Sequence, residues 1–293
     1  QLRYSRIFER EADRYGFNNL IAAGYDPRGM GEMFENMAKT RKLSGDNPPE
    51  FLLTHPITSS RVSDAFNAAE RIEFSGGKKN TINFEFIKGR LKTRYYSSSP
   101  QAAARYFKNL YLESPSNENK YAYISALKGN GEAEEAIKLI NEMLEKFPKN
   151  LILSITKSEI FLYEQRLDDA LKDINKVLNI SPKNYPASII KSKILSAQKE
   201  TIKAEEILRD LLINKNRDPS LWLQLSEVQR AGKNIIGYHL SRGEYLMLLG
   251  DFENALNQFK FALGLSNNSF QTSETIMTKI KLAQERLGAR RGF

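Results

Sequence analysis

"GEAEEAIKLINEMLEKFPKN", residues 131–150, and "QRLDDALKDINKVLNISPKN", residues 165–184, are two versions of one phrase. Ala136 is separated from Ala170 by the same interval that separates Pro148 from Pro182. That step also reaches Ala102 on one side and Ala204 on the other. A looser copy, "GDFENALNQFKFALGLSNN", runs over 250–268. In each copy apolar residues recur three and four apart, which specifies an amphipathic helix. The alanine sits where a neighbouring helix must come close, and proline or asparagine closes the turn that follows.

A period of about 34 residues with this alanine and this proline resembles the tetratricopeptide repeat, a helix–turn–helix unit. The expected fold is therefore all-α, with units at 83–116, 117–150, 151–184 and 185–218. The register is expected to break between 219 and 235, where "PSLWLQLSEVQRA" reads as the first half of a unit whose second half is missing or irregular. Another unit is expected near 236–269, anchored by Gly243, Gly250 and Ala255, with a capping helix over 270–288. Such a stack buries a continuous core and curves into a groove. Tyr121, Tyr163, Trp222 and Tyr245 are candidates either to line that groove or to pack in the core. His239 falls within a repeat helix and reads as structural.

The chain has 293 residues, a net charge of +9, no cysteine and two histidines, His55 and His239. Disulfides and thiolate metal sites are excluded, and imidazole donors are scarce. No apolar run is long enough to cross a bilayer. The densest basic stretch, "KKNTINFEFIKGRLKTRYY" (78–96), carries Lys78, Lys79, Lys88, Arg90, Lys92 and Arg94 against Glu85 alone. Basic residues interleaved with aromatics can bind nucleic acid. No nucleic-acid motif accompanies them, so the expectation is a helix with a wet basic face and a buried aromatic one, and no nucleic-acid partner.

Residues 1–76 fall outside the repeat. One helix is expected from the start of the chain up to Gly24, which ends it. A second runs from Pro27 to Lys42, a polar loop "LSGDNPPEF" (43–51) follows, and a third helix runs from Ser59 to Phe74. "SGGKKN" (75–80) reads as the linker into the repeats. This divides the chain into 1–76 and 77–293.

On the first helix Glu9, Ala12, Asp13, Gly16 and Leu20 share one face. Two acids a turn apart repel. The small residues beside them would let another helix approach and partly desolvate them, and a cation or donors would then have to compensate. The alternative is a pair of solvated surface acids.

The whole stretch "YSRIFEREADRYGFNNLIAAGYDPRGM" (4–30) resembles the second metal motif of a zinc metallopeptidase family. That family includes membrane CAAX prenyl proteases and soluble periplasmic relatives. Its pattern is Glu-x-x-Ala-Asp, preceded by Ser-Arg. "THPITSSR" (54–61) matches the family's His-Pro signature, with an arginine following the proline at the expected spacing. The resemblance implies that Glu9 ligates zinc and that Asp13 hydrogen-bonds and orients a ligating histidine. It implies that His55 lies at the active-site rim, where it can approach the open zinc position, and that Arg61 orders the site. Pro56 keeps His55 out of helical geometry, so that its side chain can reach across.

The family's first motif, His-Glu-x-x-His, supplies two zinc ligands and the general base. It occurs nowhere in this sequence. The expectation is a carboxyl-terminal piece of a longer protein, with acids that face a helix outside these residues and no hydrolysis by this chain alone. A peptidase followed by repeats further implies a periplasmic enzyme acting on protein substrates, with outer-membrane β-barrel proteins and their assembly machinery as partners. A non-catalytic repeat scaffold is the alternative.

Overall fold

The computed structural model describes residues 2–45, 49–75, 77–78, 81–96, 99–266 and 269–291. Among them are sixteen helices and no strand. They divide into two compact units, 1–82 and 83–293. Parts of the expected polar loop (46–48) and linker (76, 79 and 80) lie outside the described residues, as does Lys79.

In the first unit α1 (Leu2–Ala22), α2 (Arg28–Leu43), α3 (Glu50–Thr54) and α4 (Ser59–Glu70) follow one another. Gly24, at φ 78, ends α1, and Tyr25 N–H reaches back to Leu20 O at 3.0 Å. Phe17, Phe34, Leu52, Ala65 and Ala69 are buried. Gly31 lets α2 lie on Phe66, whose ring would be only 2.7 Å from an added Cβ. The third expected helix is shorter than its pattern. It stops at Glu70, and Phe74 instead packs over Gly77, where a Cβ would sit 2.3 Å from the ring. The sequence pattern missed α3, a short helix that buries Leu52.

The second unit runs α5 (Ile82–Arg94), α6 (Pro100–Glu113), α7 (Asn117–Asn130), α8 (Ala133–Lys146), α9 (Leu151–Tyr163) and α10 (Leu167–Ile180). It continues with α11 (Tyr185–Ala197), α12 (Thr201–Asn214), α13 (Pro219–Ala231), α14 (Ile235–Leu248), α15 (Phe252–Leu265) and α16 (Phe270–Arg291). Ala136, Ala170 and Ala204 are fully buried, as the close approach of helices requires. The repeated "PKN" has a second purpose. Asn150 and Asn184 cap α9 and α11 by accepting the N–H groups of Leu153 and Ala187, both at 3.1 Å, and Asp218 caps α13. Each side chain satisfies one otherwise orphaned donor.

Left-handed residues mark the turn inside four successive units from 117 onward: Gly131, Gln165, Lys199 and Lys233, each one repeat step after the last. The one at Lys233 corrects the expected break. The second half of the fifth unit is not missing, because α14 pairs with α13 through the same turn. A further left-handed turn at Gly250, half a step on, pairs α14 with α15. Thus α14 closes one unit and opens the next, and the period shifts by half. Buried Gly243 makes this double role possible: Phe259 of α15 lies where its Cβ would be, at 2.3 Å.

The basic helix α5 is more neutral than its sequence. Lys88 (3.0 Å) and Lys92 pair with Glu118 of α7, and Arg90 pairs with Glu159 of α9 at 2.8 Å. Its aromatics divide, with Phe86 buried and stacked on Tyr121 and Phe84 exposed. Tyr121 belongs to the core, its hydroxyl 2.6 Å from Thr156 Oγ1. Tyr163 is exposed; Trp222 donates its indole N–H to Asn216 O at 2.7 Å. His239 Nδ1 lies 2.8 Å from Gln258 Oε1.

Two tests follow from this packing. An added Cβ at Gly89 would lie 2.5 Å from Glu118 O and 3.1 Å from Ala122 N, both backbone atoms that cannot give way. At Gly129 it would meet nothing. Thermal melting should show Gly89→Ala destabilising by about 1–3 kcal/mol and Gly129→Ala stabilising by about 0.5–1 kcal/mol. Burial acts to raise the Glu118 carboxyl, but Lys92 and Lys88 outweigh it and hold the group below its ordinary value. Its contribution is therefore present above the unfolded-state pKa and lost as pH falls through the lower folded value. Glu118→Gln should flatten that part of the acid limb in a stability-versus-pH series.

Candidate functional site

Three separate segments of the first unit meet at one cluster. Helix α1 supplies Glu9 and Asp13 one turn apart. His55 caps the end of α3, at φ −121 and ψ 72, outside helical geometry as Pro56 requires. Arg61 stands in the first turn of α4, where Thr58 accepts its backbone N–H at 3.3 Å.

The guanidinium of Arg61 organises the cluster. Its Nε and Nη2 donate to the two oxygens of Asp13 at 2.7 and 2.6 Å. Its Nη1 lies 2.9 Å from Glu9 Oε2 and donates to Pro56 O at 3.2 Å. The plane rests on the ring of Phe34, 4.9 Å from the ring centre. The other Glu9 oxygen, Oε1, meets Nδ1 of His55. Hydrogen bonding to Asp13, opposed by burial and aided by both carboxylate charges, raises the Arg61 pKa above its ordinary value. The Arg61, Glu9 and Asp13 side chains are 12%, 16% and 21% exposed, whereas His55 is 65% exposed. Such a two-oxygen fork orients as well as neutralises.

The structure therefore brings together all four residues singled out in the sequence. It also supplies the cation that the two acids were expected to need. The cation that compensates Glu9 and Asp13 is Arg61 of this same chain, and both Asp13 oxygens are engaged by it. Ala12 and Gly16, expected to admit a close helix, are exposed. Sequence reasoning missed Phe34 and the Pro56 carbonyl. The first reads as an ordinary core residue, and a carbonyl leaves no trace in residue type.

Glu9 and His55 offer donors that zinc accepts, one carboxylate oxygen and one imidazole nitrogen. A catalytic zinc takes three protein ligands and keeps a fourth position open. Among the described residues no group of three His, Cys, Asp or Glu side chains could hold a metal ion. The described residues therefore do not by themselves make up a catalytic zinc site. Among them, too, no helix is long and apolar enough to cross a membrane.

Residues 1–69 match the sequence pattern of Peptidase family M48. The chain is 31% identical over 148 residues to the beta-barrel assembly-enhancing protease of Yersinia pestis, covering 49% of this chain and 29% of that protein. It is 42% identical over 64 residues to the protein of the same name from Escherichia coli K12, covering 22% of this chain and 13% of that one. The chain thus spans less than a third of the length of these relatives. A solved tetratricopeptide repeat protein from Parabacteroides merdae is 18% identical, with a TM-score of 0.44 over 86% of this chain and 99% of that one. In sequence, then, the chain is similar to the beta-barrel assembly-enhancing proteases, and its amino-terminal unit is similar to M48 peptidases.

Proposed function

We propose that residues 1–76 are the carboxyl-terminal part of a zinc metallopeptidase domain, and that residues 77–293 recruit protein substrates or docking partners to it. The observation that carries this reading is the Glu9–Asp13–His55–Arg61 cluster, formed inside the stretch that matches a peptidase family. Glu9 and His55 are the donors this chain contributes to the metal, and Asp13 and Arg61 hold them in place. Zinc in such enzymes activates water and polarises the scissile carbonyl. The remaining donors and the general base have no counterpart in these 293 residues, so the chain by itself is assigned no hydrolytic step. Exposed Ile7, Phe51 and Leu53 on α1 and α3 offer apolar surface for further polypeptide to cover.

The names of the relatives support a role in β-barrel assembly; with it we propose the outer membrane as the destination of the clients, the periplasm as compartment and the assembly machinery as partner. A second reading is a non-catalytic repeat scaffold, favoured by the size of the repeat unit, residues 83–293.

The chain as it stands should show no turnover of fluorogenic casein with added zinc; clear turnover overturns the assignment. An in-frame His-Glu-x-x-His upstream of Gln1 in the natural reading frame supports the enzyme, and its absence there leaves the scaffold. In a polypeptide carrying that motif, Asp13→Asn should lower kcat/KM by about 10–100-fold. Arg61→Ala strands two partly buried carboxylates and should destabilise the first unit by about 3 kcal/mol. Arg61→Lys keeps the charge without the fork, so it should restore most stability in melting experiments but not the activity.

A further inference from the structure

Lys157 and Lys191 occupy equivalent places in successive repeat units, one step apart. In the earlier unit the Lys157 ammonium lies 3.6 Å from Asp173, which Lys176 also approaches at 2.7 Å. In the later unit Ile207 takes the place of Asp173, and Asp210 takes the place of Lys176. Lys191 thereby loses its counter-ion. It is only partly exposed, and among the described residues no carboxylate pairs with it. A partly desolvated cation without a partner is an unfavourable arrangement that an incoming anion relieves.

The space around Lys191 suits such an anion. The hollow of the earlier unit measures about 440 Å³ and that of the later unit about 540 Å³. Partly buried Leu178, Ile207 and Leu211 line the later one, together with exposed Lys183 and Lys215. Lys215 lies over the ring of Tyr185, 5.0 Å from its centre. The Tyr185 hydroxyl is already committed, donating to Asp218 at 2.5 Å. Three lysines thus face a single acid, the exposed Asp210. The lining combines one recessed cation, two peripheral cations and an aliphatic surface.

We propose that this hollow binds an acidic segment of a partner protein. The partner carboxylate meets Lys191, and an apolar side chain beside it packs on Ile207 and Leu211. An isolated inorganic anion would leave the aliphatic surface unused, and an apolar peptide would leave Lys191 unpaired. The site is independent of the peptidase reading, because it lies wholly within the repeat unit.

The probe is a dansylated, carboxyl-terminally amidated Leu-Glu-Leu-Asp-Phe peptide titrated with the full chain and followed by fluorescence anisotropy, and its control is amidated likewise. Lys191→Met should weaken binding by about tenfold or more, equivalent to about 1.4 kcal/mol. Ile207→Asp should do the same, because it places a carboxylate opposite Lys191; as it also gives up apolar packing, circular dichroism accompanies it to show that the variant is folded. Lys157→Met should bind as the unaltered chain does. The isosteric Leu-Gln-Leu-Asn-Phe peptide should bind about tenfold more weakly, as expected when a charge-assisted contact is lost. Undiminished binding by Lys191→Met, equal binding of the neutral peptide, or no binding by the unaltered chain up to about 1 mM overturns the proposal. Lys191-dependent binding of phosphatidylglycerol vesicles without peptide binding also overturns it.

Discussion

Two helices can bury a common apolar stripe only where their backbones draw close, and that distance is set by the smallest side chain at the crossing. The repeat unit is organised around this constraint. Ala136, Ala170, Ala204 and Ala255 are fully buried, and Gly89 and Gly243 permit approaches that even a methyl group would block. Once helices meet at such points, their ends fall at regular intervals. The caps at Asn150, Asn184 and Asp218 and the left-handed turns from Gly131 to Lys233 then follow the same step as the alanines. The half-period shift at α14 obeys the same rule: a helix can pack on both neighbours in this way if it is small where each of them crosses.

In the first unit the governing force is electrostatic. Glu9 and Asp13 repel along one helix face, and both are largely removed from water. Arg61 reverses that unfavourable arrangement by bridging them with a planar fork held against Phe34. The consequence is orientation: one Glu9 oxygen is tied to Arg61 and the other is presented to His55. His55 is the most exposed member, so it is the group whose position is least constrained by packing.

Repetition also makes divergence informative. Because units share one frame, a single exchange such as Asp173 to Ile207 changes the chemistry of a hollow without changing the helices that build it. The small and apolar positions carry the helix packing, whereas some charged positions between units differ from one unit to the next, as Asp173 and Ile207 do.

The all-α class, the recurring repeat phrase and the shared face of Glu9 and Asp13 were legible in the residues, whereas His55 and Arg61 were singled out through the family resemblance. Helical periodicity, a regular step between small residues and short motif spacing are local properties of a chain. What the chain did not show was which charges meet. Arg61 is 48 residues from Asp13, and Glu159 is 69 from Arg90; nothing local pairs either couple. Nor did the pattern show that α14 serves two units, since Gly243 is read there as an anchor and only Phe259 reveals what it makes room for. Local sequence determined which helices form and which residue types cluster. Only tertiary packing decided their partners, because a charge or a ring is satisfied by what folding brings beside it and not by its neighbours along the chain.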